Sequence, residues 1–170
     1  MLREGHSTLV GLALALAAAT ALAQDKPGAG AQDNAAAGVQ DKLGGTQFVQ
    51  TCAPCHQPDG GGTPGLAPSL KGPHWQKLAA ERTYLPRVIA FGLTGQIKVG
   101  DAVFAGGMQP QVQLNDEQAA AVANYVASVL NEGNLPAEWK PYTASEIGAV
   151  RATPHSSVEQ RQLRKHALGQ

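Results

Sequence analysis

Two thiols and an imidazole fall within one five-residue stretch, Cys52-Ala53-Pro54-Cys55-His56, and no other cysteine occurs in the chain. A C-x-x-C-H run fits covalent attachment of a c-type haem: each sulfur adds to one vinyl group and the adjacent histidine reaches the iron. Two other chemistries use a C-x-x-C pair. A redox disulfide of thioredoxin type belongs in βαβ surroundings, whereas the flanks here are Gly- and Pro-rich. A closed zinc site needs four ligands, so without a third cysteine it would have to recruit two histidines. The histidine directly after the second cysteine favours haem.

A haem iron that only carries electrons gains from two strong axial ligands, because filling both positions limits rearrangement and leaves no site for oxygen. The sixth ligand is expected to be methionine or histidine. With Met1 expected to leave in an export signal, Met108 is the one methionine of the mature chain. It stands in Phe104-Ala105-Gly106-Gly107-Met108-Gln109-Pro110, read as a loop whose glycines let backbone pass close to a flat cofactor and whose proline stiffens the exit. A lone methionine is usually gap-filling core; the glycine-flanked setting favours ligation. His74, in Gly72-Pro73-His74-Trp75, is the competitor and reads more simply as a surface residue, while His155 and His166 lie in a polar tail.

The elements that must position these groups follow from pattern. Residues 1–23 read as an export signal: Arg3 and His6, an apolar run from Leu9 to Leu22, and an Ala21-Leu22-Ala23 cleavage site. The run is short of the ~20 residues that span a bilayer. Residues 24–41 are Ala, Gly, Gln and Asp with almost nothing large and apolar, and read as a flexible linker. Residues 42–131 form the expected domain. A short helix carrying Leu43, Phe48 and Val49 on its buried side runs into the cysteine motif. A helix over Thr83 to Phe91 is capped by Thr83 and ended by Gly92. An extended turn over Gln96 to Phe104 bends at Gly100-Asp101. The clearest helix runs from Asp116 to Leu130, with Asn115 as cap, Gln118 completing a capping box, and Val122, Tyr125, Val126 and Val129 as one apolar stripe.

These residues resemble the small single-haem class I cytochromes c of the bacterial periplasm, over about residues 42 to 131. The resemblance is carried by the cysteine motif, Pro68-Ser69-Leu70-Lys71-Gly72, the Gly106-to-Pro110 loop, and Asn115 to Leu130. It implies an all-α class I cytochrome c fold, a few helices and loops around one covalent haem c, with His56 and Met108 on the iron. It further implies a crossing of the first and last helices at Gly44, Phe48 and Tyr125. A proline carbonyl accepting the proton of the ligating histidine is also implied, placed by position at Pro68, with Pro64 as substitute. The run Gly92 to Asp101 is similar to cytochrome subunits that serve periplasmic dehydrogenases, and to cytochrome domains fused to oxidases and nitrite reductases. Leu66, Leu70, Leu93 and Val103 are expected to keep water from the haem.

The expected function is therefore periplasmic single-electron transfer, with a dehydrogenase as donor, an oxidase or other cytochrome as acceptor, and no membrane span in the mature protein. Balanced charge, 13 basic against 13 acidic residues, argues against nucleic acid as partner. A haem enzyme or a gas sensor is the alternative; either needs an open or displaceable sixth position. Residues 132–170 form a C-terminal extension with two short helices, Ser145 to Ala152 and Ser156 to Leu168. Its last twenty residues carry Arg151, Arg161, Arg164 and Lys165 against Glu159 alone. That segment reads equally as a helix packed on its own domain or as a basic docking arm for an acidic partner.

Overall fold

The computed structural model describes residues 29–170, with side chains described from residue 38 onward. The expected export signal, and the start of the expected linker, lie outside them. Helix α1 spans Ala29–Thr51, so its backbone is helical well into the stretch read as linker. Alanine is the strongest helix former, and a segment contiguous with a packed helix needs no nucleus of its own. Among the described residues, no helix is long and apolar enough to cross a membrane.

The C-terminal half of α1 lies against the helix that begins at Asp116, and glycine makes the approach possible. A Cβ on Gly44 would collide with the carbonyl oxygen of Ala121 and come 2.8 Å from the Cβ of Tyr125. One turn on, Phe48 is fully buried, its ring 5.3 Å from that of Tyr125. The implied crossing is thus formed, with Ala121 as the small residue that faces Gly44. Val49 lies outside it: a residue next to Phe48 points about 100° away around the helix, and it is exposed.

Helix α2 (Ala53–His56) continues directly from α1, with the Cys52 amide donating to Phe48 O at 2.8 Å and the His56 amide to Cys52 O at 2.9 Å. Helix α3 (Trp75–Ala80) follows a loop and was not legible as a helix. Helix α4 (Tyr84–Phe91) buries Leu85, Val88 and Ile89, as its pattern predicts. Thr83 stands at its cap position, yet its hydroxyl bonds the Glu81 carboxylate at 2.8 Å instead of capping. Four short strands follow. β1 (Leu93–Thr94) pairs antiparallel with β4 (Gly107–Met108), and β2 (Ile97–Val99) pairs with β3 (Ala102–Phe104) across the expected bend at Gly100-Asp101.

Helix α5 (Asp116–Asn124) begins with the predicted Asn115–Gln118 capping box. It then passes into a π-helical turn, Tyr125–Val129, closed by the Leu130 amide on Tyr125 O at 3.1 Å. The wider turn rotates Val129 off the apolar stripe, leaving it exposed while Val122 and Val126 stay buried. The extension adds α6 (Ala144–Arg151) and α7 (Ser157–Leu168), each opened by a capping box, Thr143–Glu146 and Ser156–Glu159. Helix α6 packs on α4 and α5, and α7 on α3, α4 and β1. The architecture is helix-rich, as expected, with the two small ladders as its only described sheet.

The three arginines of the last twenty residues face inward. Arg151 bonds the Asp116 carboxylate at 2.5 Å and Leu114 O at 2.6 Å. Arg161 donates to Thr94 O, and Arg164 is buried. A freely projecting basic arm does not fit these contacts; only Lys165 of the four is exposed.

Candidate functional site

The cysteine motif is wound as helix, which turns its side chains from one short segment toward a common space. Cys52 is half-buried and Cys55 exposed, and both are free thiols. Burial, followed by the neighbouring Cys55, pushes the Cys52 thiol up to about 11. His56 is buried, with its Nδ1 2.9 Å from the carbonyl oxygen of Pro68. A carbonyl can only accept, so Nδ1 carries the proton and Nε2 keeps a lone pair for a metal. Burial holds His56 below the usual histidine pKa, outweighing the Pro68 contact, and so favours the neutral ring that ligation requires.

Several polar contacts anchor the segments on either side of Pro68. Thr63 donates through its hydroxyl to Cys55 O at 2.8 Å, and its backbone bridges Ala67. Asn131, buried at the end of the last domain helix, donates to Leu70 O at 2.7 Å and accepts from the Gly72 amide at 3.0 Å. Sequence reasoning singled out neither Thr63 nor Asn131. Their partners lie far along the chain in Asn131's case, and in backbone atoms that carry no residue signature.

Met108 lies on β4 rather than in an open loop, paired with Leu93. Gly92 sets the approach: its φ of 72° ends α4, and a Cβ there would strike the Met108 carbonyl oxygen. The hairpin mouth is closed by the Gly95 amide on Gly106 O at 3.0 Å, and the exit by the Gln111 amide on Ile89 O at 2.9 Å.

Cys52, Cys55, His56, Pro68 and Met108 all line one cavity of about 270 Å³. Its walls include Leu70, Val88, Ile89, Leu93, Val122 and Val126, drawn from the loop after Pro68, α4, β1, α5 and the π-turn. Leu66 also lines it but is 59% exposed, and Val103 is 53% exposed and outside the lining, so these two do not seal it as expected. His74 is no free surface ring: it is half-buried and lines the cavity. His155 instead packs edge-on against Phe91 at 6.0 Å, and His166 is exposed on α7.

The donor set fits a porphyrin held by two thioethers. A flat apolar cofactor needs apolar walls; its iron brings four nitrogen donors of its own and asks the protein for one or two more. Among the described residues, no three His, Cys, Asp or Glu side chains converge as a protein-only metal site would require.

Comparison with known proteins agrees. Residues 42–130 match the model of the family described as cytochrome c. Two curated proteins, each called cytochrome c-552, are 38% identical over 122 residues, covering 69% of this chain. Both come from Thermus thermophilus, the second from a specified strain of it, and the aligned part covers 93% and 82% of their respective lengths.

Proposed function

We propose, from the premise that this chain belongs to the cytochrome c family, that it is an exported carrier of single electrons whose haem iron is held by His56 and Met108. Electron transfer by a covalently bound haem c is the family's chemistry and the chain's own. The bound haem supplies a one-electron iron couple. Everything else is the work of this chain's residues.

In this reading Cys52 and Cys55 tether the macrocycle. His56 presents Nε2, while Pro68 holds the ring in place through Nδ1 and raises its basicity. Met108 supplies a thioether, a soft neutral ligand that favours reduced iron. The apolar wall from Val88 to Val126 excludes water, which limits solvent reorganisation and raises the potential. The observation that carries the reading is convergence: five residues spread from position 52 to position 108 line a single cavity.

Export rests on residues 1–23 and on the attachment chemistry, because paired thiols meet haem outside the cytoplasmic membrane. A periplasmic dehydrogenase as donor rests on the run Gly92 to Asp101, and an oxidase or a second cytochrome is the acceptor. Carriage of electrons, rather than catalysis or gas sensing, rests on a filled sixth position.

Attachment is tested by intact mass after export in a host that matures c-type cytochromes. The wild-type chain gains one haem, Cys52→Ala loses one of the two thioether bonds, and the Cys52→Ala/Cys55→Ala double variant gains none. A double variant that still carries covalent haem contradicts the tether. The donor is tested by affinity purification of the tagged holoprotein from periplasm: a dehydrogenase subunit recovered in stoichiometric yield supports the reading, and recovery of oxidase components alone opposes it.

A further inference from the structure

Helix α7 grips the outer edge of β1, the strand paired with the one that carries Met108. Gln160 is fully buried, and its Nε2 donates to Gly92 O at 2.8 Å. Ser157 Oγ accepts from the Thr94 amide at 3.2 Å, and Arg161 Nη1 donates to Thr94 O. The three side chains stand at i, i+3 and i+4, on one face of the helix. Along an antiparallel pair, alternate residues turn their N–H and C=O away from the partner strand. The Gly95 amide bonds Gly106 O across the ladder at 3.0 Å, so Thr94, one residue earlier, is the one that faces outward. A ladder of two residues with an open edge has little to hold it, and α7 supplies the edge partners.

The inner side of the same segment bears on Met108. Leu93 pairs with Met108, and both line the cofactor cavity. Gly92, at a φ of 72°, lies against the backbone of Met108 to Pro110: a Cβ on it would strike the Met108 carbonyl oxygen and stand 2.9 Å from the Pro110 nitrogen. A shift of the Gly92 peptide therefore passes straight to the Met108 backbone, with no side chain between them to absorb it. The other half of the Gln160 amide, Oε1, is buried with no donor among the described residues. A buried oxygen left unpaired costs stability, so Gln160 adds little to the hold of α7 as a whole, and its directed contact is the one to Gly92.

We propose that α7 is a latch on the sixth ligand, with Gln160 as a positioning residue. Through Gly92 and the β1–β4 pair it keeps Met108 on the iron, and the iron opens to outside ligands in proportion to how often that grip is released. Ser157 and Arg161 steady the same strand from its outer edge. The proposal rests on Met108 as a ligand, the reading given above. Ser157, Gln160 and Arg161 all lie beyond residues 42–130, the span that matches the family model, so the grip is added from outside that span.

The test is the affinity of the oxidised holoprotein for imidazole. Imidazole takes the iron only in molecules whose Met108 is off it, so its apparent affinity scales with the fraction in that state. Gln160→Met keeps the buried volume and removes the donor. Loss of that one hydrogen bond from the closed state is expected to raise the apparent affinity about tenfold, and to weaken the far-red band of iron–sulfur bonding. Arg82→Ala, which loosens α6, is the control and stays within about twofold of wild type; a rise as large as that of Gln160→Met would mean general loosening and overturns the latch. Added to Met108→Ala, Gln160→Met has no further effect, because no ligand is left to hold; an effect that persists there overturns the latch too. Wild-type affinity in Gln160→Met, with covalent haem present, overturns it while leaving the reading of His56 and Met108 intact. Met108→Ala that binds imidazole no better than wild type overturns that reading and the latch with it. Should Gln160→Met fail to mature, Arg161→Ala on the half-buried outer side decides: a raised affinity supports the latch, and wild-type affinity contradicts it.

Discussion

The part of the chain that matches the cytochrome c family, residues 42–130, and the C-terminal stretch that follows it are held by different chemistry. In the domain, the first helix meets the last through Gly44, Phe48, Tyr125 and Ala121, a contact between small and aromatic surfaces. The extension adds to its apolar contacts a set of polar side chains bonded to backbone carbonyls and carboxylates. Arg82 clamps the Glu146 carboxylate at 2.5 and 3.0 Å while also reaching Lys140 O and Pro141 O. Asn124 exchanges two bonds with Tyr142, at 2.6 and 3.0 Å, and buried Gln160 donates to Gly92 O at 2.8 Å. Ile147 and Tyr142 join the apolar core, and Leu135, Trp139, Leu163, Ala167 and Leu168 pack against it. Apolar packing stabilises through area and shape, whereas a polar strap depends on a few directional contacts that leave unsatisfied groups when cut. The domain should therefore fail as a unit, and the strap contact by contact.

The largest effect tests the crossing. Phe48→Ala empties the fully buried site against Tyr125 and is expected to cost about 3–5 kcal/mol, read by denaturant unfolding of the holoprotein. A loss below about 1 kcal/mol would mean that the crossing is not what holds the domain. Next comes the strap. Arg82→Ala removes four donor contacts and leaves Glu146 without its cation; discounted for partial exposure of the pair, the expected loss is about 1–2 kcal/mol. It should appear first as faster hydrogen exchange in α6 with α1 and α5 still protected. Uniform acceleration across all helices would erase the distinction between the two regions.

Acid should release the strap in the same order. Arg82, with help from Thr143, lowers the Glu146 carboxyl from 4.5 to about 2 in the folded protein. A depressed folded pKa means that the stabilisation is fully present above the ordinary carboxylate value and is lost as pH falls from about 4.5 toward 2. Exchange in α6 should quicken over that interval in the wild type and be already fast, with little further change, in Glu146→Gln. The smallest effect is Val49→Ala, within about 0.5 kcal/mol of wild type because the side chain is exposed. A larger loss would reveal a partner surface on α1.

The two regions also differed in how far their sequence could be read. The thiols and imidazole are legible because attachment chemistry fixes residue type and spacing together. Asn115 with Gln118, and Gly100-Asp101 between short apolar runs, are legible because caps and bends are local. The π-turn at Tyr125–Val129 was not, since its pattern differs from that of an α-helix by a single hydrogen-bond shift. Thr83 fits a cap by type, but Glu81 two residues earlier competes for its hydroxyl. The inward arginines of the extension were the hardest: each has a backbone carbonyl among its acceptors, of Leu114, Thr94 or Lys98, and a carbonyl looks the same in every residue. Charge counting alone could not separate a docking arm from a strap.

The central claim is that one cavity gathers His56 and Met108 onto a single closed haem iron. The most direct measurement is the oxidised absorption spectrum of the holoprotein beside that of Met108→Ala, with carbon monoxide added to each after reduction. The wild type should show the weak far-red band of iron–sulfur bonding and bind no carbon monoxide, while the variant loses the band and binds the gas rapidly. An unchanged spectrum in the variant, or rapid binding by the wild type, would contradict the account.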